Sequence, residues 1–135
     1  MTIIEGSILM KKKILLVDDI KEFRALMQLL LSCSYEVVTA EDGREALKII
    51  EEDGCKPDVI VTDLVMPEMD GYQLISRVRG SKEFKDTPII VVSNYDKANK
   101  EELESNNIYS FLFKPFNTHE LHNGLGRTLS AALAN

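Results

Sequence analysis

The sequence predicts an open α/β domain of five βα units, a doubly wound parallel sheet with helices on both faces. Three observations predict it. Short apolar runs recur, "KILLVD" at 13–18, "DVIVTD" at 58–63 and "PIIVVS" at 88–93, too short for helices and nearly continuous in Val, Ile and Leu. Strands buried on both faces read that way. Segments of helical spacing separate the runs, and strand–helix alternation gives a parallel sheet with right-handed crossovers. A chain of 135 residues suits one such domain.

The elements follow in order. After the first strand, "IKEFRALMQLLLS" places Ile20, Phe23, Met27, Leu30 and Leu31 at helical spacing, and we read them as its buried face. "YEVVTA" (35–40) alternates as a second strand. "DGREALKIIEED" opens with Asp42 and has Glu45 three residues on, a capping box, with Ala46, Leu47 and Ile50 inward. After the strand at 58–63 comes the helix "GYQLISRVRG". The segment after the fourth strand, "DKANKEELESNN", has little beyond Ala98 and Leu103 to bury and is expected as an exposed, mobile helix. "SFLF" (110–113) is a fifth strand, and Asn117 with Glu120 caps a last helix carried by Leu121, Leu125 and Leu129. Gly124 and Gly126 weaken that helix by roughly 1 kcal/mol each relative to alanine.

Composition narrows the function. Sixteen basic against 22 acidic residues give a formal net charge of -6, and no basic stripe is present, which argues against nucleic acid as a partner. Lys11, Lys12 and Lys13 read as a solvated lead-in to a strand. Cys33 and Cys55 stand apart without metal-site spacing, so reduced, structural thiols in a cytoplasmic protein are expected. Residues 1–10, "MTIIEGSILM", lack both a basic start and a sustained apolar stretch. They read as a flexible leader, with no signal peptide and no membrane span.

The chemistry gathers at the strand ends. In such sheets ligands bind outside the carboxyl ends of the strands. The first strand ends in Asp18-Asp19, the third in Asp63 and the fourth in Ser93, while the fifth runs into Lys114. Three carboxylates brought together repel strongly, so a cation or a proton must neutralise them. Oxygen-only ligands favour a hard ion, and Mg2+ suits two or three protein oxygens plus waters. Three carboxylates then balance Mg2+ and Lys114 in charge. A phosphoryl group would meet metal, ammonium and hydroxyl together, the arrangement that phosphoryl transfer requires.

These motifs carry a resemblance. "LLVDD", "VTDLVMPEMDGYQL", "PIIVVS" and "FLFKPF" stand in the order found in receiver domains of two-component response regulators, over about residues 11–133. The resemblance implies a CheY-like, flavodoxin-like fold with strand order 2-1-3-4-5. It implies that Asp63 takes a phosphoryl group from a phosphohistidine, and that Asp18, Asp19, Asp63 and the backbone carbonyl of Val65 bind Mg2+. It further implies that Ser93 and Lys114 contact the phosphoryl group, and that Phe111 is the aromatic that swings inward on activation. The Lys114–Pro115 bond is often cis in similar proteins. The donor would be a histidine kinase or a histidine phosphotransfer protein, with a downstream protein as the output partner. No enzyme activity beyond the domain's own phosphorylation and dephosphorylation is implied.

The sequence also departs from the family. Asn94 follows Ser93 where a smaller residue is usual, Tyr95 and Val65 occupy positions that tune acyl-phosphate hydrolysis, and Asn107 stands in place of glycine. An apolar and an aromatic neighbour predict slow autodephosphorylation. Residues 96–110 lack the charges of dimerising regulators, so a monomer or weak dimer is expected. The chain ends at Asn135, which reads as a receiver standing alone or excised from a larger kinase or regulator. Two other functions compete. A Mg2+-dependent hydrolase acting through an aspartyl phosphate wants an acid two residues after Asp63, where Val65 stands. A receiver fold used only for binding predicts losses among Asp18, Asp19, Asp63, Ser93 and Lys114, and all five are present.

Overall fold

The computed structural model describes residues 11–94, 99–108 and 110–134; residues 1–10, Tyr95 and Ala98 lie outside them. β1 (Lys13–Val17) leads the sheet, with Ile14 to Val17 at 2% exposure or less. β2 (Glu36–Ala40) and β3 (Val59–Asp63) flank it, and β4 (Ile89–Ser93) and β5 (Ser110–Phe113) extend it beyond β3. All pairings are parallel, in the order β2-β1-β3-β4-β5, as the resemblance implied.

Alternation along the strands separates two apolar cores. Leu15, Val17, Ile60 and Val91 face one way and pack with Leu47 and Ile50 of α2 (Gly43–Glu51) and Leu74, Ile75 and Val78 of α3 (Gly71–Arg79). Ile14, Leu16, Val61 and Val92 face the other way. They pack with Met27 and Leu31 of α1 (Lys21–Leu31) and Leu121, Leu125 and Leu129 of α5 (Thr118–Ala134). Fully burying one such side chain stabilises by about 1.5–3 kcal/mol, so each layer supplies a substantial share of the stability.

α1 corrects the expected inward face. Phe23, Met27 and Leu31, one every four residues, turn toward the sheet, whereas Leu30 is 37% exposed and Ile20 49%. Ile20 precedes the helix in an extended conformation, off its helical face. Cys33, beyond the end of α1, is likewise exposed, not part of a core; Cys55 is half-buried, and both thiols are free.

The caps explain where the helices begin. Asp42 accepts the Glu45 N–H at 2.8 Å, but the Glu45 carboxylate takes the Glu41 N–H at 2.7 Å, so the expected reciprocal box is shifted by one residue. Asn117 and Glu120 do form it, at 2.8 and 3.3 Å. Asp70 and Gln73 form another that the sequence reading overlooked. Each cap stabilises its helix by about 1 kcal/mol.

α4 (Lys100–Ser105) is only six residues, half the expected length, and buries Leu103 alone. Its placement depends on polar bonds from α3. The Asn99 N–H donates to the Tyr72 hydroxyl at 2.7 Å, and the Arg79 guanidinium donates to the Asn106 carbonyl at 2.8 Å. Tyr72 and Arg79 are seven residues apart, two turns on one side of α3. Asn107 holds a left-handed φ of 61°, as expected of an asparagine replacing glycine, and Lys114–Pro115 is cis. Among the described residues, no helix is long and apolar enough to cross a membrane.

Candidate functional site

The register of the sheet assembles the site. Val17 pairs with Thr62, so Asp18 and Asp63 leave neighbouring strands at the same level. Asp63 pairs with Val92 and Ser93 with Phe113, which brings Ser93 and Lys114 to the same rim. Four positions scattered over nearly a hundred residues thus meet because parallel strands end together.

Asp63 is held from both sides. Its Oδ1 accepts the Leu64 N–H at 2.7 Å, and its Oδ2 accepts the Lys114 ammonium at 3.0 Å. Lys114 also lies 3.7 Å from Asp18 Oδ2. Asp18 is 1% exposed, and its Oδ1 accepts the Ile20 N–H at 2.9 Å. Its Oδ2 finds no hydrogen-bond partner among the described residues, nor does the buried Ser93 hydroxyl. Ser93 Oγ thus makes no capping bond among the described residues. Asp19 is exposed, and Asp18, Asp19 and Asp63 each present an oxygen within 4.8 Å of the others.

The electrostatics follow from burial. Removal from water pushes the Asp18 carboxyl above its ordinary value, more than the Ile20 N–H and Lys114 pull it down, while the charges of Asp63 and Asp19 add to the rise. Burial pushes Lys114 down, yet the hydrogen bond and charge of Asp63, with Asp18 behind them, more than offset this and leave it raised. The ammonium is thus firmly charged. A buried carboxylate oxygen without a donor, beside two further carboxylates, fits a hard divalent cation such as Mg2+.

A cleft of about 70 Å³ lies among Asp63, Leu64, Val65, Ser93, Asn94 and Lys114. Val65, 61% exposed, turns an apolar side chain outward beside Asp63, and Asn94 is exposed. Phe111 does not join the cleft. It pairs with Val91, two residues short of the rim, and its ring stacks on Phe113 with centroids 6.0 Å apart. His119 meets Asn123 at 3.1 Å and His122 stacks on Tyr35, as surface histidines would. Tyr95 lies outside the described residues.

Two residues of α1 belong to the site and escaped the sequence reading. Arg24 donates to the Asp18 carbonyl at 2.7 Å, bracing the backbone that carries the carboxylates. The Phe23 ring lies under the Lys114 ammonium, 5.4 Å from its centroid. The available signal was their place five and six residues after Asp18, where the first turn of a helix returns toward the strand end.

Close behind Asp63, α3 begins. The Gly71 N–H donates to the Leu64 carbonyl at 2.9 Å, and a Cβ on Gly71 would lie 2.2 Å from the Asp63 carbonyl oxygen. Glycine is required by this approach of backbone to backbone, not by a turn with positive φ.

Known proteins resemble this chain in sequence and fold. Residues 14–125 match the family described as response regulator receiver domain. Protein PilG of Pseudomonas aeruginosa is 35% identical over 114 residues, covering 81% of each chain. The sensor histidine kinase TmoS of Ectopseudomonas mendocina is 35% identical over 123 residues, but this chain spans only 12% of that kinase. The chemotaxis response regulator CheY4 of Vibrio cholerae superposes with a TM-score of 0.79 at 35% identity, covering 87% of this chain and 98% of that one. The receiver domain of a Pseudomonas aeruginosa sensor histidine kinase, with a magnesium ion coordinated in its active site cleft, superposes at 0.78 with 27% identity. It covers 89% of this chain and 98% of its own. With its sheet order, its acidic rim and these matches in agreement, the chain belongs to the response regulator receiver domain family of two-component signalling.

Proposed function

We propose that this chain is a phosphoacceptor switch in which Asp63 takes a phosphoryl group from the phosphohistidine of a histidine kinase or a histidine phosphotransfer protein. The observation that carries the reading is the pair of buried polar atoms without hydrogen-bond partners among the described residues, Asp18 Oδ2 and Ser93 Oγ, on the rim that holds Asp63. Burying such groups unpaired costs free energy unless a ligand completes them.

A carboxylate oxygen of Asp63 forms the new P–O bond as the P–N bond of the donor breaks, its electron pair leaving with the imidazole. Asp18, Asp19, Asp63 and the Val65 carbonyl would hold Mg2+, which neutralises the carboxylates and the phosphoryl oxygens. Lys114, already 3.0 Å from Asp63, follows the charge onto the phosphoryl group. Ser93 donates its hydroxyl proton to a phosphoryl oxygen. Phe111 changes its packing once Ser93 is engaged, and the altered surface recruits a downstream protein. The switch acts in the cytoplasm as a monomer or weak dimer, without nucleic acid.

The test uses acetyl phosphate as donor. With Mg2+, the intact protein is expected to gain one phosphoryl group, and to gain none after chelation or as Asp63→Asn. Uptake by Asp63→Asn would overturn the assignment. The acyl phosphate is expected to outlast seconds, because the outward Val65 side chain cannot orient a water for hydrolysis. Following its decay by intact mass after donor removal checks this, and loss within seconds would contradict it.

A further inference from the structure

We infer that Phe23 is a positioning residue for Lys114, its aromatic face holding the ammonium at the mouth of the phosphoryl cleft. The inference rests on the phosphoacceptor reading and concerns how its lysine is kept in place.

Lys114 has a long, flexible stem, and its side chain is 26% exposed. On one side are Asp63 and Asp18; on the other opens a groove of about 600 Å³ lined by the apolar Ile20, Phe23, Leu26 and Phe116 and the polar Glu22 and Asn94. Among the described residues, no polar side chain of α1, Glu22 included, pairs with the ammonium to stop it swinging into that groove. The Phe23 ring does so, with Nζ 5.4 Å from its centroid, inside the range in which a ring quadrupole attracts a cation. The ring is itself fixed. Phe116 meets it edge to face, with centroids 6.0 Å apart and planes at 89°, and both pack against the α1–α5 core.

A neutral ring does something the carboxylates cannot. The pull of Asp63 changes when its carboxylate becomes an acyl phosphate, because the charge moves outward with the phosphoryl group. The attraction of the ring does not depend on that event. Phe23 therefore holds the ammonium beside the cleft before and after transfer, so Lys114 needs only a short movement to reach the phosphoryl oxygens. A leucine would fill similar apolar space without this attraction, so the aromatic character carries the role.

The test separates ring electronics from packing. Phenylalanine, 4-fluorophenylalanine and 3,4,5-trifluorophenylalanine at position 23 keep shape while progressively weakening the quadrupole. With acetyl phosphate and Mg2+, the phosphorylation rate is expected to fall in that order, by roughly 3- to 10-fold across the series. Phe23→Leu should fall with the trifluoro protein and Phe23→Tyr should stay near the parent. The small donor removes any effect on kinase docking. In parallel, the Lys114 ε-methylene proton resonances should show an upfield ring-current shift that Phe23→Leu abolishes. A flat rate series in a protein that takes up phosphoryl normally overturns the inference, as does a Lys114 resonance indifferent to Phe23→Leu. If the parent takes up no phosphoryl group, the phosphoacceptor reading fails instead, and the Lys114 resonance alone decides the Phe23 contact.

Discussion

Asp18→Asn yields a metal-free protein that melts higher than its parent and gains nothing from Mg2+. In the parent, Asp18 Oδ2 is buried beside two other carboxylates; among the described residues it has no hydrogen bond and pairs with the Lys114 ammonium alone, at 3.7 Å. Asparagine keeps an oxygen for the Ile20 N–H and replaces the buried charge beside two other carboxylates with a neutral amide. Leaving a buried polar group unsatisfied costs about 1–3 kcal/mol, so the variant should gain stability of that order, about 4 °C per kcal/mol for a domain of this size. Mg2+ at a hundredfold excess over its Kd would stabilise the parent by about 2.7 kcal/mol and leave the variant unchanged. The pH dependence has a definite sign. The folded pKa of Asp18 is raised, so the folded state keeps its proton while the unfolded chain releases it. Its stabilising contribution is full below the unfolded value near 3.8 and is lost as pH rises through the raised folded value. The advantage of asparagine should therefore open above that unfolded value and close below it. Thermal melts in chelator and in Mg2+, across pH, decide the matter; a metal-free Asp18→Asn protein melting below the parent would contradict it.

Gly71→Ala should destabilise the fold by about 3 kcal/mol, the upper end of what overpacking costs, and slow phosphoryl uptake with it. The added Cβ would sit 2.2 Å from the Asp63 carbonyl oxygen and 2.8 Å from the Leu64 Cα. Both are backbone atoms, so no side chain can swing aside. The N-terminus of α3 must retreat from the end of β3, straining the Gly71–Leu64 hydrogen bond and tilting the residue that carries the acceptor carboxylate. Gly126→Ala is the control. A Cβ there meets nothing within 4 Å, and alanine should stabilise that helix by up to about 1 kcal/mol. Denaturant melts of the two variants check the contrast, and equal stability would refute the close-approach account.

Strands were the most legible part. Each apolar run became a strand within one residue of its expected ends, because burial on both faces leaves a continuous Val/Ile/Leu signature. Parallel register then carried Asp18, Asp63, Ser93 and Lys114 to one rim without further information. α1 was less legible: Leu26, Leu29 and Leu30 are as apolar as Met27 and Leu31, so hydropathy alone cannot say which side meets the sheet. α4 was misjudged for the opposite reason. It has almost no apolar signal, and its bounds depend on bonds from Tyr72 and Arg79, which no local pattern announces. Phe23 reads locally as one more core residue; only the arrival of Lys114 and Phe116 from the other end of the chain reveals its second contact.

Chemical trapping identifies the residue that carries phosphate, which we propose is Asp63. The protein is incubated with acetyl phosphate and Mg2+, reduced with borohydride and digested for peptide sequencing by mass spectrometry. Borohydride converts an acyl phosphate on aspartate to homoserine. Homoserine at position 63 alone is the expected result. Homoserine at position 18 or 19, or phosphate retained as an ester on Ser93, would contradict it.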